Sequence, residues 1–113
     1  VTRLYLPSSL EVLARLHAGE ELATTTAVEA DDDSEDSEYA ALLTAAEASA
    51  ELVGTGGRRV VVVAEVGRPG DPVTVREVVA VHVDTEAGAD PDDDLAWFAT
   101  QEIGQLVQGA DGA

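Results

Sequence analysis

The 113-residue chain contains no cysteine and no lysine, and it has few aromatics. Without cysteine there is no disulfide framework, no thiolate nucleophile and no cysteine-ligated zinc. With Tyr5, Tyr39, Trp97 and Phe98 as the whole aromatic complement, any core is built from Val, Leu and Ala. Long apolar runs are missing too. None approaches the ~18–20 residues that span a bilayer. No secretory leader is visible, since Val1–Leu6 is followed by Pro7 and then by a polar-faced helix. The expected compartment is therefore the cytoplasm.

Positive charge is the scarcest commodity. Six arginines face 23 acids, for a net charge of −17. Nucleic acids and anionic membranes are met by positive surfaces that release counterions or match lipid charge, so neither is expected as a partner. A basic protein partner, loosely bound cations or self-association remain open. A GC-rich or salt-adapted genome would produce the same bias without any role in binding, because net charge speaks to solubility and association and not to fold. Like-charge repulsion opposes compactness, and salt screens it. Thermal stability is expected to rise between low and moderate ionic strength. A melting midpoint indifferent to salt would show that the acids are too dispersed or too well compensated to matter.

What is present suffices for one domain, 1–108, with a frayed tail at 109–113. At 45% hydrophobic residues the chain can bury a core. Its centre is Arg58–Val66, RRVVVVAEV, a β-branched run framed by Gly54, Gly56 and Gly57 before and Gly67 and Pro69 after, which reads as a buried strand. Thr2–Leu6 alternates with a period of two, and Pro7 is expected to end that strand. Ser8 and Glu11 have capping-box spacing ahead of a helix Ser9–Ala18, closed by Gly19. Ala23–Val28 reads as a short edge strand.

Glu29–Glu38 is an acidic block that should be solvated, with Ser34 or Ser37 capping the next helix. That helix spans about Ser37–Val53, with Tyr39, Leu42, Leu43, Ala46, Ala50 and Val53 on one stripe. After a turn at Gly67–Pro72, Val78–Val83 reads as a second strand, hairpinned to the first because so short a connection forces an antiparallel return. Thr85–Asp94 is a second acidic loop. The last helix is placed at about Asp93–Val107, with Leu95, Ala99, Ile103, Leu106 and Val107 as its stripe and Trp97 on the opposite side beside Gln101.

Several landmarks occur in a telling order: R-L-Y-L-P-S (Arg3–Ser8), E-Y-A-A-L-L (Glu38–Leu43), R-R-V-V-V (Arg58–Val62), A-V-H-V-D (Ala80–Asp84) and L-A-W-F-A-T-Q-E-I (Leu95–Ile103). In these the chain resembles a family of small acidic actinobacterial proteins known as a domain of unknown function. The chain departs from that family in a shorter segment between A-V-H-V-D and the final helix. The resemblance implies an actinobacterial, cytoplasmic origin and makes GC bias the source of the missing lysine. It implies no particular activity.

Motifs that carry chemistry are weak. Ser8 and Ser9 have no nucleophile elbow and no adjacent histidine. His17 and His82 could form a pH-dependent pair or hold a metal together with Asp84, but local packing explains each of them. The run Asp31–Asp36 lacks the glycine and the final glutamate of a calcium loop. Gly54–Gly57 precedes a strand, the reverse of a phosphate-binding turn that opens a helix. Neither cofactor nor metal nor catalytic residue is expected. The constellation that stands out is a sheet face. If Leu4, Leu6, Val60, Val62, Val79, Val81 and Val83 share the helix-covered side, then Arg3, Tyr5, Val61, Val63, Glu65, Arg76, Val78 and His82 gather on the other.

The expected fold is α/β (α+β): a small mixed sheet of three to four strands with about three helices, in the order β-α-(β)-α-β-β-α. The expected function is that of a non-enzymatic cytosolic interaction protein whose acidic surface meets a basic protein partner. Trp97, Gln101, Arg3, Tyr5, Arg76 and His82 are the candidate partner surface. The alternative is a small-molecule-binding or catalytic domain using Arg3, Tyr5, Arg76 and His82.

Overall fold

The structure is a computed structural model that describes residues 2–68 and 70–111; Pro69 of the expected turn and the last two residues of the expected tail lie outside the described residues. The fold is α/β, with five strands and three α-helices among the described residues. In chain order these are β1 (Thr2–Ser8), α1 (Leu10–His17), β2 (Val28–Glu29), α2 (Glu35–Val53), β3 (Val60–Val66), β4 (Val78–Val83), β5 (Ala96–Phe98) and α3 (Ile103–Asp111). The sheet order is β2-β1-β3-β4-β5, and every pairing is antiparallel. Among the described residues the sheet thus has at least one strand more than the three to four expected, and no parallel pair in place of the expected mixed sheet. None of the described helices is long and apolar enough to cross a membrane.

The sheet is covered on both faces. On one, Leu4, Leu6, Val60, Val62, Val81 and Val83 meet Leu13 and Leu16 of α1 and Ile103 and Val107 of α3. On the other, Tyr5, Val61, Val63 and Ala80 meet Ala41, Ala45 and Ala46 of α2. Period-two alternation along β1 and β3 sends successive side chains into the two cores, and for this reason β3 is apolar on both sides. The alternation breaks once. The β3–β4 register shifts between Val63 and Ala64, so that Ala64 pairs with Val78. The extra residue in β4 moves Val78 into the α1/α3 core and leaves Val79 40% exposed, the reverse of their expected placement.

Local chemistry sets the element ends. β1 runs through Pro7, which pairs with Val61. Proline is tolerated there because β2 pairs only with Leu4 and Tyr5, so β1 is in effect an edge at Pro7. Ser9, and not Ser8, caps α1 by accepting from the Val12 N–H at 3.1 Å. Ser34 caps α2 by accepting from the Ser37 N–H. Gly54 ends α2 at φ +71°, a conformation open to glycine at little cost. Gly57 is needed for a different reason: a Cβ there would lie 2.6 Å from the Val53 Cβ.

α2 meets the sheet through small residues. Ala41, Ala45 and Ser49 recur every four residues and are buried, while Tyr39 and Leu43, expected on the covered stripe, are 52% and 42% exposed. The small face lets the backbone approach until Ser49 Oγ donates to the Ser8 carbonyl at 2.7 Å and accepts from the Val60 N–H at 2.8 Å. One hydroxyl thereby pairs the end of β1 and the start of β3, two buried polar groups that would otherwise each cost about 1–3 kcal/mol.

The helix expected over about 93–107 is divided. Ala96–Phe98 is strand, Thr100–Glu102 is a 3-10 turn, and α3 begins only at Ile103. Glu102 accepts from the Ala99 N–H and Thr100 donates to the Val78 carbonyl, which fixes the turn between strand and helix.

Candidate functional site

Three segments converge beside the outer flank of α2: the start of β3, the loop after β4, and β5. Arg59 is their organising residue. It is 7% exposed, and its partner Asp84 is 2% exposed. The guanidinium forms a fork on the carboxylate, Nε to Oδ2 at 2.9 Å and Nη2 to Oδ1 at 2.8 Å. The Arg59 backbone N–H adds a third bond to Oδ2, and the Asp84 N–H answers to the Arg59 carbonyl. The remaining guanidinium hydrogens donate to the carbonyls of Asp90, Pro91 and Asp93, and Arg58 Nε donates to the Asp84 carbonyl. A single buried cation therefore pins the acidic loop by its backbone. Burial opposes ionisation of Asp84, but the Arg59 guanidinium and N–H outweigh it and hold the carboxyl below the usual carboxylate range. Hydrogen bonding to Asp84 raises the Arg59 pKa in turn.

Next to this pair is a hollow of about 480 Å³ lined by Gly54–Gly57 and Gly88–Pro91. Its volume falls in the range of small-molecule sites. Its charged groups are the exposed Asp90 and the pair Arg59 and Asp84, which satisfy each other, and no buried side-chain polar atom among the described residues lacks a partner. It offers a ligand shape but little polar recognition.

Further along α2 the surface changes character. A groove of about 240 Å³ is lined by Tyr39, Leu42, Leu43 and Ala46 of α2, by Arg59 and His82, and by Asp93, Asp94, Leu95 and Trp97. It continues into a neighbouring hollow bordered by Glu47, Asp92, Asp93 and Asp94. Trp97 pairs across the strands with His82 and is 60% exposed. The tyrosine hydroxyl of Tyr39 donates to Asp94 Oδ1 at 3.2 Å, tying helix to loop. The arrangement is an apolar trough with a carboxylate rim, whose floor carries His82 with its pKa lowered by burial and so uncharged at neutral pH.

The predicted surface residues fall in different places. His82 and Trp97 share the groove. Arg3 projects from β1 on the α2 side, where it binds Glu65 and Glu38, each at 2.8 Å. Tyr5 is buried under α2, and burial raises its pKa. Arg3 and Tyr5 line a separate hollow with Asp31–Asp33. Arg76 lies on a 3-10 turn ahead of β4, in a third hollow with Glu21 and Asp71, and not on the strand face where the alternation put it. Gln101 sits exposed on the turn before α3 and is not among the groove-lining residues, because the strand at 96–98 abolishes the helical side it was to share with Trp97. His17 is on α1, near Gly104, across the sheet from His82, so the two histidines do not meet. Among the described residues no cluster of three or more His, Asp or Glu is placed to hold a metal ion.

Arg59 and Asp84 are the pair that sequence reading missed. A signal existed: opposite charges stand at the ends of two hairpinned valine runs, Arg59 just before Val60 and Asp84 just after Val83, and Val60 pairs with Val83.

R-R-V-V-V and A-V-H-V-D thus meet in space through Arg59 and Asp84, and E-Y-A-A-L-L faces L-A-W-F-A across the groove. No curated protein and no solved structure matches the chain. A family model does, over residues 2–107, from β1 into α3. The chain belongs to that family, DUF6912, a family of unknown function.

Proposed function

We propose that this is a non-enzymatic interaction protein of the actinobacterial cytoplasm, and that it binds a basic protein segment along the groove between α2 and β5. The observation that carries the reading is Trp97. A tryptophan 60% exposed at the end of a sheet, beside Tyr39 and Leu43, is an unusual use of the chain's only indole. Tryptophan and tyrosine dominate the energetic centres of interfaces. The rim of Asp92, Asp93, Asp94 and Glu47 selects positive charge, and the one arginine in the lining, Arg59, is already matched by Asp84. A second copy of the chain would bring its own −17 to this rim, so charge complementarity favours a heterologous partner. Two residues of the catalytic alternative are also committed to structure: Arg3 is bound by two glutamates and Tyr5 is buried.

The test uses the two acidic blocks as mutual controls. Asp92, Asp93 and Asp94 replaced together by Asn, and Asp31, Asp32 and Asp33 replaced together by Asn, change the net charge equally. Binding of an arginine-rich peptide at low salt should weaken by about ten-fold or more in the first triple variant and much less in the second, in line with loss of close charge pairs. Equal weakening by both would mean diffuse attraction to the whole surface and would remove the groove from consideration.

A further inference from the structure

We infer that the segment taken by the groove presents an arginine next to an apolar residue, with the guanidinium stacked on the Trp97 indole beside Asp93 and Asp94. This rests on the groove reading above and gives its partner a side-chain chemistry. The groove's 240 Å³ is below the roughly 300–1,000 Å³ of small-molecule pockets, and suits one or two side chains. Its walls divide into two chemistries. Leu42, Leu43, Ala46 and Leu95 form an apolar notch for an aliphatic side chain. Beyond it stand the indole and two carboxylates.

Three features favour guanidinium over ammonium at that end. The indole is the best aromatic face for a cation, and arginine stacks on it as a plane while keeping its edge donors free. Carboxylates in the same groove can take those donors, and arginine matches a carboxylate with two parallel bonds where lysine acts as a point charge. His82, cross-strand to Trp97, is held neutral by burial, and the one cation in the groove lining, Arg59, is neutralised by Asp84. Asp94 is already the acceptor for Tyr39, which leaves Asp93 as the freer carboxylate; its backbone carbonyl, but not its side chain, is used by Arg59.

Because Trp97 is the only tryptophan, its fluorescence reports this site alone. The intact chain is titrated at low salt with a synthetic peptide of alternating arginine and leucine, and with its lysine counterpart of equal length and charge, by fluorescence and calorimetry in parallel. The arginine peptide is expected to bind about five-fold tighter or better, to shift Trp97 emission from red towards blue, and to lose most of that preference in Trp97→Leu. Equal affinity of the two peptides would overturn the guanidinium inference and leave groove docking standing. Heat of binding with no change in Trp97 emission would place the peptide elsewhere and overturn both. The wild-type titrations decide the matter even if Trp97→Leu folds poorly.

Discussion

Replacing Arg59 by alanine is expected to destabilise the protein by about 3–5 kcal/mol, the usual result of leaving one member of a buried ion pair behind. Set against a total of about 5–15 kcal/mol for a small domain, that is enough to unfold much of the population at moderate denaturant. The Arg59→Ala change strands the Asp84 carboxylate at 2% exposure and frees the carbonyls of Asp90, Pro91 and Asp93. Asp84→Ala should cost a similar amount, since it orphans both the guanidinium and the Arg59 N–H. The double variant Arg59→Met/Asp84→Leu should recover a large part of the loss, because no charge is then buried. Urea midpoints of the four proteins check this. Single variants within about 1 kcal/mol of the wild type would show that the pair is far better hydrated than its geometry implies.

The same pair sets an acid limit. The Asp84 carboxyl has its folded pKa below the unfolded value of about 3.9, so its contribution is complete above that value. That stability is lost as the pH falls through the folded pKa, and Asp84→Asn should flatten this acid limb. His82 acts in a separate window. Burial lowers its folded pKa, so the unfolded chain protonates first and stability declines as the pH drops below about 6.5.

The second large effect is expected at Leu13. It is fully buried in α1, against the face formed by Leu4, Leu6 and the even-numbered valines of β3. Leu13→Ala should cost about 2–5 kcal/mol, the loss of burial plus the cavity left where packed neighbours cannot fully collapse. Leu43→Ala, a change of identical chemistry, should stay within about 1 kcal/mol because Leu43 is 42% exposed on the outer flank of α2. The contrast matters more than either number. Equal losses would mean that α2 covers the sheet through its large residues, as its sequence stripe suggests, and not through Ala41, Ala45 and Ser49.

That stripe illustrates where the sequence was legible. Strands with uninterrupted pattern, such as Val60–Val66, and helices with a serine cap and a glycine stop, such as α2, could be read because the signals are local. The face α2 uses could not. Alanine and leucine are both apolar, and the choice between them depends on how near the sheet stands. Likewise Leu95, Ala99, Ile103 and Leu106 repeat with helical spacing, yet three residues within that repeat form β5 because Val81–Val83 lie ready to pair with them. A strand of three apolar residues has no alternation to display. The β4 bulge is similar: four valines and an alanine in six residues fit either phase until β3 fixes the register. Of the proposed surface, Trp97 and His82 were within reach of the sequence as a pair only in the strand register, and the partner of Arg59 shows only once Val60 is paired with Val83, which brings Asp84 opposite it.

Arg59 holds the loop after β4 by carbonyl oxygens, and every residue type supplies the same carbonyl. The loop's path thus depends on few of its side chains, chiefly Asp90, which accepts from the Asp92 N–H, and Asp94, which accepts from Tyr39. Acidic positions such as Asp92 could be exchanged for neutral, basic or aromatic residues without disturbing the anchor, much as an antibody framework carries variable loops. The rim of the groove is therefore free to diversify at Asp92 and Asp93 while its scaffold stays fixed, and a library built at these two positions would sample new binding specificities on an unchanged fold.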